Sequence, residues 1–175
     1  MQEISVSIDA NIAEMERLFT DFGDMVRRRF KAGTGRYVYL MYLDNMVDRE
    51  MVEWRIMRPL VKPSRGLDVS ASLLDFITNG GLNTADFSEA SGMKEMADAV
   101  LGGNTVLFID GCRTGLIVST KGWPSRGVQS AETEVVVQGS KDAFTESFRV
   151  NTVLVRRRIN DTRLKLKQMN IGERS

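Results

Sequence analysis

RYVYLMYLD, residues 36–44, places β-branched and aromatic side chains at consecutive positions, so both faces of the extended chain are apolar. Such a strand needs cover on both sides, which marks it as central in a sheet with helices above and below. MVRRRF, residues 25–30, precedes it across the glycine-rich turn KAGTG. There Arg28 shares a face with Val26 and Phe30, while Arg27 and Arg29 share one with Met25. Charge on both faces assigns that strand to an edge. TVLFI, residues 105–109, and CRTGLIVST, residues 112–120, also read as strands, joined at Asp110-Gly111, a dipeptide suited to a type I′ hairpin turn.

Between these strands the apolar period lengthens to that of a helix. Ile8, Ile12, Met15, Phe19 and Phe22 line one face and predict a helix over 8–21, capped by Ser7 or Asp9. Met51, Val52, Trp54 and Ile56 predict a second helix that ends at Pro59. Val69, Leu73, Phe76 and Ile77 predict a third, stopped at Asn79-Gly80-Gly81, and Met93, Met96, Ala97 and Val100 a fourth over 91–101. Beyond an irregular stretch at 121–133 and EVVVQ at 134–138, a helix is expected from Asp142 to Ile159. Its inner face would be Phe144, Phe148, Asn151, Val155 and Ile159. TRLKLKQMNIGERS closes the chain and alternates Leu164 and Leu166 against Arg163, Lys165 and Lys167. The expected class is α/β, a mixed β-sheet of residues 25–30, 36–44, 105–110 and 113–119 covered by at least three helices.

Composition narrows function mainly by exclusion. Of 175 residues, 42% are hydrophobic and 27% charged, as in a folded domain. Lysine plus arginine number 24 against 23 acids, so no basic excess points to nucleic acid. There is no histidine, which removes His-based triads, His-ligated metals and His-based pH sensing. Cys112 is alone and reads as a small packing residue. No metal or cofactor is expected, since GTGR at 33–36 precedes a strand instead of opening a helix onto a phosphate. The longest apolar run, YVYLMYL, is far below the roughly 20 residues of a membrane helix. MQEISVSID lacks the basic and apolar regions of a secretory signal.

VRRRF at 26–30 and VRRRI at 155–159 look like one element written twice. They are not equivalent: a strand sends neighbouring arginines to opposite faces, whereas a helix fans Arg156, Arg157 and Arg158 around its end. Arginines in the last turn of a helix are expected to be solvated and to offset its dipole.

Within GWPSRGVQSAETEVVVQGSKDAFTESFRVNTVLVRRRIND, residues 122–161, a spaced block comprises Pro124, Arg126, Glu134, Gly139, Phe144, Glu146, Asn151, Leu154, Arg156, Arg158 and Ile159. The block resembles the A subunit of the GerA-type nutrient receptors of spore germination. Gln138, Ser140 and Ala131 depart from the family's usual Arg, Pro and Pro. The order of elements upstream is similar as well. The resemblance implies a non-enzymatic receptor domain that works with B and C subunits, and self-association is expected from the unpaired C-terminal strand. It implies a place in the inner spore membrane, with this region on the cytoplasmic, spore-core side and membrane spans further along the chain. It also implies two similar α/β subdomains: 1–141 as the first, 142–161 as a connecting helix, and 162–175 as the opening strand of a truncated second. LKLKQMNIGERS is similar in register to RRRFKAGTGR and would be that strand, free to pair between molecules.

Trp123, Pro124 and Arg126, with Glu132 and Glu134 following, could bind a carboxylate or amino acid, or clasp the loop through an Arg–acid pair. Asn151 is expected to hydrogen-bond a loop carbonyl. Asp44 and Asp110 end strands, where turn chemistry competes with a site. Three functions remain open: an assembly and signalling domain, a nutrient-binding module, and a hydrolase built on carboxylates, which needs two acids facing one cleft.

Overall fold

The computed structural model describes residues 2–62, 73–83, 86–122 and 144–169. Among the described residues five strands form one sheet in the order β1-β2-β4-β5-β3: β1 Met25–Lys31, β2 Tyr37–Leu43, β3 Phe87–Ala90, β4 Thr105–Ile109 and β5 Gly115–Val118. Each neighbouring pair is antiparallel. As the sequence predicts, β1 is an edge and β2 is interior, buried at every position after Tyr37.

Alternation along β2 and β4 feeds two cores. Tyr39, Met41, Leu43, Val106 and Phe108 pack with α1 (Ile8–Leu18) and α4 (Met93–Leu101). Val38, Leu40, Tyr42, Leu107 and Ile109 pack on the other face with α2 (49–61) and α3 (73–81). Each large apolar side chain taken fully out of water contributes about 1.5–3 kcal/mol, so this double cover is the main source of stability. Ser7 caps α1 by accepting the Ala10 N–H. Asp110 accepts the Ile8 N–H, so its carboxylate belongs to the start of α1.

Three local features differ from the sequence reading. First, α2 runs through Pro59, because residues 52–57 form a π-helical segment within it. The Arg58 N–H reaches back to the Glu53 carbonyl, and the Arg55 carbonyl, four residues before Pro59, accepts instead from Asn83 N–H at 3.2 Å. The proline costs no buried bond because a neighbouring segment supplies the donor. Second, the β4–β5 connection spans 110–114. Cys112 N–H bonds the Ile109 carbonyl and Gly111 has φ 84°. Asp110 is not at positive φ, so this is a type II arrangement and not type I′. Third, the four-residue strand β3 was not anticipated.

The last third departs further. α5 is Phe148–Arg158, beginning after the expected Asp142, and it buries Val153, Leu154 and Arg156. Phe144, Phe148 and Ile159, expected inside, are exposed. Among the described residues the segment 162–169 forms no ladder but an isolated parallel bridge between Leu166 and Phe22. Its alternation holds nonetheless: Leu164 and Leu166 are half-buried, and Arg163, Lys165 and Lys167 are exposed. Val69 and EVVVQ lie outside the described residues.

Candidate functional site

Of the residues singled out from sequence, Trp123, Pro124, Arg126, Glu132, Glu134 and Gly139 lie outside the described residues. Asp44 and Asp110 follow β2 and β4, and Phe144, Glu146, Asn151, Leu154, Arg156, Arg158 and Ile159 lie on α5 or within a few residues of its ends.

The chain entering α5 is held by one side chain. Asn151 accepts the Thr145 N–H at 2.7 Å and donates to the Thr145 carbonyl at 2.6 Å, while Thr145 Oγ1 accepts the Ser147 N–H at 3.3 Å. The expected bond to a loop carbonyl is therefore present, although Asn151 is only half-buried. The same clasp occurs at the start of α1. Asn11 accepts the Ser5 N–H and donates to the Ser5 carbonyl, both at 2.8 Å, and Ser5 Oγ accepts the Ser7 N–H at 3.1 Å. SVSIDAN, residues 5–11, and TESFRVN, residues 145–151, are thus two copies of one device, each opening a helix of 11 residues. A basic alternating segment follows each helix. This repeat was legible in the sequence, yet the eye is drawn to VRRRF and VRRRI, which stand at non-equivalent places. The two helices differ in what covers them. Ile8, Met15 and Phe19 are buried under α1, whereas their counterparts Phe148 and Ile159 are exposed and Val155 is half-buried.

Arg156 contradicts the expectation of solvated arginines, for its side chain is 2% exposed. Nε and Nη2 donate to the two oxygens of Asp24 at 3.0 and 2.8 Å, and Nη1 donates to the Leu164 carbonyl at 2.9 Å. The guanidinium lies 4.2 Å from the Phe22 ring centre, and Phe22 meets Phe19 edge-on at 5.0 Å. The fork geometry, which lysine lacks, is what lets one cation hold a carboxylate and a backbone carbonyl together. Arg157 and Arg158 are exposed, as expected for the last helical turn, and Glu146 is exposed too. Sequence reading missed Asp24, because nothing local ties it to a residue so distant in the chain.

A shallow pocket beside the helix is lined by Phe144, Leu154, Val155, Arg158 and Ile159. Between α1 and the sheet, Glu16 meets residues of β1 and β2. Tyr39 donates to Glu16 at 2.9 Å, and Arg27 Nε lies 2.8 Å from the same oxygen, outside hydrogen-bonding angle. Burial and then the Glu16 contact push the Tyr39 phenol well above its ordinary value. Burial likewise raises the Cys112 thiol, which packs against the core on the α2 and α3 side. Asp44 pairs with Arg49, and Asp161, drawn down to about 2 by hydrogen bonds from Arg163, pairs with that residue. Among the described residues no group of His, Cys, Asp and Glu could hold a metal, and no helix is long and apolar enough to cross a membrane.

Residues 13–175 match the family described as Bacillus/Clostridium GerA spore germination protein. Among curated proteins of Bacillus subtilis (strain 168), the chain is 31% identical to the uncharacterized membrane protein YfkQ over 98% of its own length and 33% of that protein. It is 34% identical to stage V sporulation protein AF over 79% of its length and 28% of that protein. It is 30% identical to spore germination protein KA over 97% of its length and 31% of that protein. The chain therefore spans about a third of these relatives. Among solved structures it is similar to the N-terminal domain of the A subunit of the Bacillus megaterium spore germinant receptor GerK3. There the TM-score is 0.74 at 24% identity, over 99% of this chain and 63% of that one, a likeness of fold.

Proposed function

This chain belongs to the Bacillus/Clostridium GerA spore germination protein family, and from that premise we propose that it is the N-terminal region of a germinant-receptor A subunit. In this reading it serves receptor assembly and signal transmission and carries no catalysis. The observation that supports it most is the family match over residues 13–175, together with the likeness of fold to the GerK3 domain. The partners are then the B and C subunits and other copies of the A subunit. The setting is the inner spore membrane, with this region facing the spore core.

The paired asparagine clasps extend the domain reading. α5 serves better as the first helix of a second α/β unit than as a connector, and 163–169 stands where β1 stands in the first. The exposed face of Phe148, Val155 and Ile159 would then be covered by the rest of that unit. The solved relative, of which this chain matches 63%, supports a further stretch of folded chain.

The test is genetic. Spores that depend on this receptor, with the coding segment for residues 1–175 deleted in frame, are scored for nutrient-triggered loss of optical density. Loss of the response, with the other subunits also reduced in the membrane fraction, is the expected result. A wild-type response would overturn the assignment. Turnover of an ester, phosphate or glycoside by the purified chain, abolished by one carboxylate substitution, would replace it with the hydrolase reading. Saturable binding of a single amino acid or sugar to the purified chain would instead make this region the nutrient-binding module.

A further inference from the structure

Among the described residues, residues 164–167 make three polar contacts to the α1–β1 turn and one to Arg156 of α5. The Leu166 carbonyl accepts the Gly23 N–H at 2.7 Å, and the Leu164 carbonyl accepts from Arg156 Nη1 at 2.9 Å. Lys165 Nζ lies 5.0 Å from the Phe22 ring centre, and Lys167 stands 3.4 Å from Asp21. The two lysine contacts are exposed and screened by water and salt, so they add little. The weight falls on the two backbone carbonyls and on the half-buried Leu164 and Leu166.

Both carbonyls lie beside the same ion pair. One is bound by Arg156 directly. The other is bound by Gly23, adjacent to Asp24, both of whose carboxylate oxygens are engaged by Arg156. Asp24 itself is anchored to the sheet, because its carbonyl accepts the Asp44 N–H at 2.9 Å. The approach at Gly23 is close enough that an added Cβ would stand 2.8 Å from the Leu166 oxygen. The guanidinium thus touches the end of α5, the start of β1, the Phe22 ring and the departing chain at once.

We infer that Asp24 and Arg156 form a latch: seating the guanidinium on the carboxylate and docking residues 164–167 on the α1–β1 turn are one event. The latch fixes the direction in which the chain leaves the domain. It rests on this geometry and not on the role in germination. A buried ion pair is weak evidence for stability, since desolvation consumes much of the attraction. Setting the path of the departing chain is a role that the third hydrogen bond, to Leu164, specifically supports.

The Gly23 amide is the reporter, because its hydrogen-bond acceptor is the Leu166 carbonyl. Amide exchange is measured by NMR on the 175-residue chain, with the β4 amides as the internal reference. Asp24→Leu combined with Arg156→Met removes both charges without leaving either one buried and unpaired. Arg156→Lys keeps the charge but not the fork, and serves if the double variant does not fold. In either, Gly23 exchange is expected to accelerate at least tenfold while the β4 amides stay within about twofold of wild type. Unchanged Gly23 protection would overturn the latch. So would a loss of protection that merely tracks the β4 amides, since that is a loss of global stability.

Discussion

Replacing Asn11 and Asn151 by alanine, one at a time, sets two copies of the same clasp in two environments. Each substitution removes the two hydrogen bonds that the amide makes to the backbone of the residue six positions earlier. A net hydrogen bond is worth about 0.5–1.5 kcal/mol, and a buried group left unpaired costs about 1–3 kcal/mol. Asn11 is 2% exposed, so water cannot readily take its place and the loss should be about 2 kcal/mol. Asn151 is half-buried, and water can reach Thr145, so its loss should be about 1 kcal/mol or less. For a chain of this size each kcal/mol lowers the melting midpoint by about 2–4 °C. Thermal melts followed by circular dichroism should therefore show a drop of about 4–8 °C for Asn11→Ala and less than about 4 °C for Asn151→Ala. Equal costs, or a larger cost at 151, would show that the two clasps are not environmentally distinct and that the α5 face is already covered. In a longer chain that includes the proposed second unit, the Asn151 cost should rise toward that of Asn11.

Thr105 and Thr120 share a 2.8 Å hydroxyl contact and are both fully buried; Thr→Val at either alone should cost about 1–3 kcal/mol, and the double change less than the sum. Strict additivity in urea melts would count against the pairing. Tyr39, raised by burial, is favoured in its neutral form on folding, so its contribution is complete below the ordinary phenol value of 10.0 and is lost as pH climbs toward the folded value. Stability should fall above pH 10, and Tyr39→Phe should flatten that slope; identical slopes in both proteins would refute it. Arg126→Ala should slow nutrient-triggered germination in spores with normal receptor levels, and unaltered kinetics would remove Arg126 from the site.

How far the sequence could be read depended on the range of the interaction. β2 announced its place because both its faces are apolar, which is local information. α1 and α4 did so through a single buried stripe each. For α5 the stripe was found but its cover was misplaced: periodicity shows that Phe148, Val155 and Ile159 share a face, not which surface meets it. Arg156 was misread for a related reason, since a buried cation is explained only by Asp24, far away in sequence and brought near by the fold. Pro59 misled because the rule that ends a helix there assumes no other donor for the Arg55 carbonyl, and Asn83 provides one. The clasp motif was fully local and could have been found by comparing spacings of Ser, Thr and Asn instead of arginine triplets.

The edge position of β1 has a consequence for the protein as a solute. Among the described residues its outer side has no partner strand, and an edge of this kind offers a row of backbone donors and acceptors that another extended chain could extend, the first step toward aggregation. Arg28 and Lys31 are exposed on that strand and stand on opposite faces of the sheet, while Arg29 is paired with Asp9. An incoming strand would meet positive charge whichever face it presented, and a second copy of β1 would bring the same charges with it. At the far edge, β3 is only four residues long, which leaves little to pair with. Among the described residues the sheet is therefore guarded at both ends, by charge at one and by brevity at the other.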